Sequence, residues 1–295
     1  MSDMNPTLAA HLEGGLTTLA RAWALIRTDG VEMGFTDHDR PLVFEGIAFR
    51  PDTGLSAMAL QQGTGLAVDN TEALGALSDS AITEADVEAG RYDGAELRVW
   101  IVDWQDPRAH HLVFRGHIGE IRRIDGAFRA EVRGLSDALN RPLGRVFQRP
   151  CTAVLGDAAC RFDLSRPGYA HEAAAVSADR GRVFRLAPLP GFAPGWFAHG
   201  RLTVLDGPAA GLSGAIKRDT AEETARVIEL WEPLRAVVGA GTRLRLEAGC
   251  DKRMETCRLK FDNLLNFRGF PDIPEEDWML VHAAQSGSIG GGSRR

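Results

Sequence analysis

Four cysteines are the residues of this chain whose type and spacing point most directly to chemistry. They form two pairs, Cys151-x8-Cys160 and Cys250-x6-Cys257, and the 295 residues contain no other cysteine. Both pairs lie in short, locally polar segments, whereas cysteines that only fill a core would be scattered through the apolar runs. Because four thiolates can hold a tetrahedral zinc ion or an iron–sulfur cluster, the sequence predicts a metal centre with all four as ligands.

Two disulfides and four unconnected buried thiols are the alternatives to a metal centre. The start of the chain, MSDMNPTLAAHLEGG, has neither the basic region nor the apolar region of a secretory signal. A reducing compartment is therefore expected, and there thiolates that bind a metal are more common than disulfides. Structural zinc favours closer cysteine pairs, C-x2-4-C, so the wider spacing favours a [4Fe-4S] cluster, with structural zinc as the alternative.

A cluster with four thiolate ligands is an anion that needs nearby cations and hydrogen bonds. Six basic residues lie within a few positions of a cysteine: Arg149, Arg161, Lys252, Arg253, Arg258 and Lys260. Four aromatic residues lie close to the last cysteine: Phe261, Phe267, Phe270 and Trp278. We interpret the basic residues as charge compensation and the aromatic residues as an apolar shell, with a solvated face and ordinary core packing as the respective alternatives.

Other candidate sites are weaker. The run Asp37-His38-Asp39 contains carboxylates beside a histidine, but its place between apparent strands favours a turn. Three histidines, His110, His111 and His117, flank a strand without a matching ligand pattern, which favours a surface location. Acidic residues at 275–277 follow Pro274, where they would cap a helix. No nucleophile elbow, phosphate-binding loop or H-E-x-x-H motif occurs, so we expect no catalytic residue and no enzyme.

Composition narrows the class of protein further. Hydrophobic residues make up 44% and charged residues 25% of the chain, an ordinary globular mixture. Forty acidic and 34 basic residues give a net charge of −6, which disfavours tight binding to nucleic acid phosphates. An iron–sulfur protein that processes DNA or transfers electrons remains the alternative function. No apolar run is long enough for a membrane helix.

The pattern of apolar residues predicts a mainly β fold with a few helices (α+β). Spacings of three and four from Leu8 to Trp23 predict one amphipathic helix. Short runs separated by Gly, Pro and Asp-Gly predict strands from Ala24 to about residue 135, interrupted by a helical piece at 83–90, and a short helix follows at 135–143. We predict a β-rich domain at 1–145, a cysteine-rich domain at 146–175 and 247–285, an inserted small all-β, barrel-like domain at 176–246, and a flexible tail at 286–295.

Several motifs of the chain resemble one known family: hub, or tail-tip, proteins of bacterial gene transfer agents and of related prophages. They are RTDG (27–30), GFTDHDRPL (34–42), the region 92–104, GHIGEI (116–121), PC-x4-GD-x2-C (150–160) and CDKRMETCRLKFDNLLNFRGFPDIP (250–274). The cysteine pairs are also similar, in order and local spacing, to those of the iron–sulfur tail-tip protein of lambda-like phages. There the pairs lie closer together, and the 89 residues between Cys160 and Cys250 depart from that pattern.

The resemblance implies a structural protein. Such hubs form a homotrimeric ring between the ring of the distal tail protein and a large central tail-tip protein of the baseplate, and DNA passes through them in transit. The β-rich domain 1–145 would then be the tube-like, ring-forming part. The family's ligands for a structural [4Fe-4S] cluster correspond to Cys151, Cys160, Cys250 and Cys257. The protein would assemble in the bacterial cytoplasm and leave in the distal tail of the released particle.

Overall fold

A computed structural model describes residues 4–15, 18–51, 70–71, 82–124, 127–134, 144 and 146–273. Over these ranges the chain is mainly β with a few short helices, which confirms the predicted fold class. The chain forms two compact units, residues 1–142 and 143–295. In the part of the chain that the structure describes, no helix has the length and apolar character needed to cross a membrane.

The first unit is built on one eight-stranded sheet. Its described elements are α1 (Pro6–Glu13), β1 (Leu19–Ile26), β2 (Glu32–Thr36), β3 (Leu42–Phe44), β4 (Ile47–Pro51), β5 (Asn70–Thr71), α2 (Glu84–Glu88), β6 (Glu96–Asp103), β7 (His110–Ile124) and β8 (Ala127–Gly134). The strands are arranged in the order β3-β4-β2-β1-β6-β7-β8-β5. All neighbours are antiparallel except β2 and β4, which run parallel.

Strand β1 lies in the middle of this sheet and is buried on both faces. Ala20, Ala22 and Ala24 contribute to the core on one side of the sheet, and Trp23 and Leu25 to the core on the other. This follows from the alternation of side chains along a strand. A strand with both faces covered carries an almost continuous apolar sequence, without the polar alternation of a half-exposed strand.

The single helix predicted from Leu8 to Trp23 is wrong beyond its first two turns. The helix ends at Glu13, and Gly15 follows with a φ of +73°, a conformation that glycine adopts without strain. Strand β1 then begins at Leu19. Its apolar residues continue the helical spacing by coincidence, because burial on both faces hides the period of two.

The remaining predicted elements of the first unit agree with the structure where it describes them. The helical piece at 83–90 is α2, and the Thr83 hydroxyl caps it by accepting from the Asp86 N–H at 3.1 Å. The three strands predicted after residue 95 are β6, β7 and β8. The Asp125-Gly126 turn and the helix predicted at 135–143 lie outside the described residues.

The second unit contains a closed six-stranded barrel. Its strands are β9 (Ala170–Asp179), β10 (Val183–Leu186), β11 (Arg201–Val204), β12 (Ser213–Ala221), β13 (Arg226–Leu230) and β14 (Arg243–Glu247). They close in the order β10-β13-β12-β11-β14-β9, with every neighbour antiparallel. The barrel interior is filled by buried Phe, Leu, Ile and Val side chains. Helix α3 (Met254–Leu259) and a 3-10 turn (Leu264–Asn266) follow the barrel.

The barrel has one strand more than the apolar runs of the sequence indicated. Five runs at 176–246 correspond to β10 to β14, whereas β9 has the sequence AHEAAAVSAD and begins before residue 176. Most of its side chains are at least partly exposed, and Ala175 is its buried contribution to the core. An alanine-rich, largely exposed strand carries no apolar period that a sequence could display.

Candidate metal centre

The four cysteines line one small cavity in the second unit. All four are free thiols, and the cavity that they share is also lined by Asn263 and by the rings of Phe261 and Phe267. The sequence prediction that the two distant pairs meet at one place therefore agrees with the structure.

Barrel closure brings the two pairs together. The first and last strands of the barrel are neighbours, and Ala170 lies opposite Glu247 in their register. The chain therefore enters and leaves the barrel side by side. Cys160 lies ten residues before Ala170, and Cys250 lies three residues after Glu247. The 89 residues between the two cysteines therefore do not keep them apart in space.

A turn built around one carboxylate presents the first pair. Asp157 accepts hydrogen bonds from the N–H groups of Val154 (2.9 Å), Ala159 (2.9 Å) and Cys160 (2.6 Å). These hydrogen bonds hold the pKa of Asp157 below its usual value, and the bond from Cys160 has the largest effect. Gly156 has a φ of +85°, which this tight turn requires. The Gly-Asp of PC-x4-GD-x2-C thus has a structural explanation.

The second pair is arranged by the start of α3. The Asp251 carboxylate accepts from the Arg253 N–H at 3.0 Å and from the Thr256 hydroxyl at 2.9 Å. One turn later, α3 carries Cys257. The carbonyl of Lys252 accepts from the Cys151 N–H at 2.8 Å, which joins the two cysteine-bearing segments directly.

Backbone strain is concentrated around the cysteines. Six described residues other than glycine have a positive φ, and three of them, Arg161, Lys252 and Asp262, lie within five positions of a cysteine. Such conformations cost on the order of 1–3 kcal/mol each and persist where the surrounding structure enforces them. Their clustering is typical of a functional site.

Among the described residues, Arg268 and Asn263 donate hydrogen bonds to cysteine sulfurs. The Arg268 N–H donates to Cys151 Sγ at 3.3 Å, and Asn263 Nδ2 donates to Cys160 Sγ at 3.5 Å. The same Asn263 accepts, through its backbone carbonyl, from the Cys257 thiol at 3.4 Å. Donors of this kind stabilise thiolates that bind a metal. Neither residue was predicted from the sequence, since asparagine and a main-chain N–H carry no spacing signal.

The thiols of Cys250 and Cys257 bind their protons more tightly than a free cysteine does. Burial raises the pKa of Cys257 to about 11, and the neighbouring sulfurs of Cys250, Cys151 and Cys160 contribute to the increase. Burial also raises the pKa of Cys250, against an opposing effect of the N–H and ammonium of Lys252. Four thiolates are therefore unfavourable together unless metal cations replace the protons.

The predicted aromatic shell is present in part. Phe261 is 1% exposed and packs edge-on against Phe162, with ring centroids 4.9 Å apart. Phe267 lines the cavity with it, whereas Phe270 contacts the exposed ring of Phe147 instead. Trp278 lies outside the described residues.

The predicted basic residues occupy two kinds of position. Arg253 lines the cavity, and Lys252 and Lys260 donate to main-chain carbonyls beside it. The other three, Arg149, Arg161 and Arg258, are exposed and are not among the residues that line the cavity. Three of the six predicted basic residues therefore lie at or beside the cavity, and Arg253 among them is also exposed.

The weaker candidates do not assemble into a site. His38 accepts from the Arg40 N–H at 3.1 Å and stacks on Trp104, so Asp37-His38-Asp39 forms a turn as expected. His110 bonds to Glu45 at 3.0 Å, and His111 lies in the same open groove. Residues 275–277 lie outside the described part. Over the described ranges, no group of three or more His, Cys, Asp or Glu side chains is gathered tightly enough for a single metal ion.

Comparison with known proteins assigns the chain to a family. Residues 5–163, more than half of the chain, match the family model described as baseplate hub protein, N-terminal attachment domain. The chain belongs to the baseplate hub protein family. Residues 195–277 of this hub protein match a second model, described as phage conserved hypothetical protein BR0599. The first model includes Cys151 and Cys160, and the second includes Cys250 and Cys257.

The hub protein is also similar to a chain in a solved structure of the virion of a native gene transfer agent (GTA) particle. The two are 58% identical, the match covers 98% of the hub protein and 99% of that chain, and the TM-score is 0.88. No protein with a curated description matches. The resemblance that the motifs indicated, to baseplate hubs of gene transfer agents and related phages, is confirmed.

Proposed function

We propose that this baseplate hub protein is a structural component of the tail tip of a gene transfer agent or a closely related phage-like particle. The observation that carries the proposal is the 58% identity, over 98% of the chain, to a chain of a gene transfer agent virion. The protein works by assembly and is not an enzyme.

The neighbours of the hub in the tail follow from this role. Residues 1–142 attach to the ring of the distal tail protein, which is supported by the description of the matching family model as an attachment domain. Three copies form the ring, a large central tail-tip protein binds on the opposite side, and DNA crosses during delivery. The net charge of −6 suits a conduit that does not retain DNA.

The cysteine cavity binds a structural [4Fe-4S] cluster in this proposal. Its donor set fits: four free thiols line one cavity, two N–H donors reach their sulfurs, and Phe261 and Phe267 limit the access of water. The bound cluster supplies iron–thiolate bonds that tie two segments of the chain together. Cys151, Cys160, Cys250 and Cys257 would each ligate one iron.

Structural zinc is the competing occupant. A zinc ion needs four ligand atoms at about 2.0–2.3 Å from one centre. The four thiols share a cavity, but within the described residues they do not gather at one point. A cluster with a separate iron for each thiolate requires no such convergence, which favours iron and sulfide.

Complementation in the producing bacterium tests the structural role. The gene for the hub is deleted and replaced by the wild type, by Cys250→Ser, or by Ala158→Ser as a control at an exposed position of the Cys151–Cys160 turn. We expect complete tail tips in electron micrographs with the wild type and with Ala158→Ser, and few or none with Cys250→Ser. Complete tails from the deletion strain would contradict the hub role, and complete tails built from a cluster-free Cys250→Ser protein would contradict the structural role of the cluster.

A further inference from the structure

We propose that the loop between β10 and β11, residues 187–200, positions Cys250 and thereby makes the barrel part of the metal centre. This barrel loop supplies no ligand. Its contacts instead fix the main chain that leads into Cys250 and the side chain of Lys260. The inference rests on the proposed function only in assigning a cluster to the cavity, since the placement of the cysteine can be measured without metal.

The first contact is a close approach of two main chains. Gly249 immediately precedes Cys250, and a Cβ atom on Gly249 would lie 1.6 Å from the carbonyl oxygen of Ala198 in the barrel loop. The Gly249 N–H donates to the Trp196 carbonyl at 3.0 Å. Gly249 does not have a positive φ, so the glycine is required for space. The barrel loop therefore sets the position of the backbone that leads into Cys250.

The second contact is made by the ammonium group of Lys260, which bonds both to the barrel loop and to the segment that leads into Cys250. Lys260, three residues after Cys257, donates through Nζ to the carbonyls of Trp196 (2.6 Å) and Gly249 (2.9 Å). The same Nζ lies 4.3 Å from the centre of the Trp196 ring, close enough for a cation–π interaction. The segments that carry Cys250 and Cys257 are thus both attached to Trp196.

The shape of the barrel loop is determined inside the barrel. Arg226 is 1% exposed, forms a bidentate ion pair with Asp219, and donates to the loop carbonyls of Phe192 (3.0 Å) and Ala193 (2.7 Å). Asp219 in turn accepts from the Phe197 N–H at 2.9 Å. A buried ion pair that bonds to a loop in this way holds it in one conformation.

Cys151 offers an internal comparison because its described contacts come from elsewhere. Its sulfur accepts from Arg268 and its N–H donates to Lys252, and neither residue belongs to the barrel loop. A loosened barrel loop should therefore affect Cys250 far more than Cys151. General unfolding would affect both.

Alkylation of the full-length, metal-free chain tests this difference. The first variant is Trp196→Ala, and its control is Trp231→Ala at an exposed position. The second variant is Gly249→Ala. Its control is Gly239→Ala, because a Cβ atom on Gly239 would meet no atom within 4 Å. Iodoacetamide rates at each cysteine are measured by mass spectrometry, and circular dichroism reports retention of the fold. The as-purified proteins are also treated with an iron chelator.

We expect Trp196→Ala and Gly249→Ala to raise the alkylation rate of Cys250 by about tenfold, equal to about 1.4 kcal/mol of lost protection, and that of Cys151 by less than about twofold. Both controls should behave as the wild type. Iron should leave the two test variants faster if the cavity holds a cluster.

A Cys250 rate within about twofold of the wild type in folded Trp196→Ala, or equal increases at all four cysteines, would overturn the proposal. If Gly249→Ala does not fold, Trp196→Ala decides. Absence of iron from the wild type would count against the cluster alone.

Discussion

At the scale of single residues, burial and neighbouring sulfurs control the protonation of Cys250 and Cys257. Burial raises the pKa of the buried Cys257 and of the half-buried Cys250, and the charges of neighbouring sulfurs add to the increase. Acids whose pKa is raised favour the protonated form, so Cys250 and Cys257 keep their protons at physiological pH in the metal-free protein. The proposed cluster would have to displace these protons, and its binding would strengthen as the pH rises.

The protonation of Cys257 can be measured directly. In the metal-free native chain we expect its alkylation rate to increase with pH and to reach half of its maximum near pH 11, because burial and the other sulfurs disfavour the thiolate. The same cysteine in the urea-unfolded chain provides the control and should give half of the maximum near its ordinary pKa of 9.0.

The stability of the metal-free protein should change in the same pH interval. The native state keeps the Cys257 proton while the unfolded state loses it, so this contribution to stability is complete below pH 9 and is lost as the pH rises toward about 11. A native alkylation profile with its midpoint at or below pH 9 would contradict this interpretation of the cavity.

At the scale of elements, the barrel depends on one buried ion pair. The side chains of Asp219 and Arg226 are 0% and 2% exposed, and both bond to the barrel loop as well as to each other. Removing one partner leaves an uncompensated buried charge, which costs more than the pair itself contributes.

We expect Arg226→Met to lower the free energy of unfolding of the barrel by about 3–5 kcal/mol. Arg185→Met is the matched control, because Arg185 pairs with Glu222 at 2.8 Å and both side chains are about half exposed. That surface pair should contribute no more than about 1 kcal/mol. Guanidinium unfolding of the full-length chain, followed by circular dichroism, measures the loss of stability in both variants. Equal losses in the two variants would show that the buried pair has no special role.

The elements also show what the sequence could and could not predict. The strands β6 to β8 and β10 to β14 were predictable, since their apolar residues alternate or form short runs between turns. Strand β9 was not, because its alanines and exposed side chains leave no pattern. The helical interpretation failed at Leu19 and Trp23, because a strand buried on both faces imitates helical spacing.

The residues of the candidate site were likewise predictable from the sequence only in part. The four cysteines were predictable because thiols are rare and paired in this chain. Asn263 and Arg268 were not, because their contacts to sulfur come from side-chain and main-chain positions that only the folded chain creates. The role of Gly249 depends on a tertiary contact with Ala198 and is likewise absent from any local pattern.

At the scale of the whole molecule, the chain combines an attachment unit with a unit whose distant segments meet at one cavity. The family model described as an attachment domain covers residues 5–163, so it includes all but the first four residues of the first unit, together with the first cysteine pair. A cluster that ties segments 89 residues apart would stabilise the folded state at a site where the apolar core is small.

The visible absorption spectrum of the chain purified without oxygen, together with its iron, sulfide and zinc content, decides whether the four cysteines hold a [4Fe-4S] cluster. We expect a brown protein with about four iron and four sulfide ions per chain, and loss of the colour in Cys151→Ser and Cys257→Ser but not in Ala158→Ser. A colourless wild-type protein would contradict this expectation. One zinc ion per chain would then assign the cavity to structural zinc, and no metal at all would leave four free thiols.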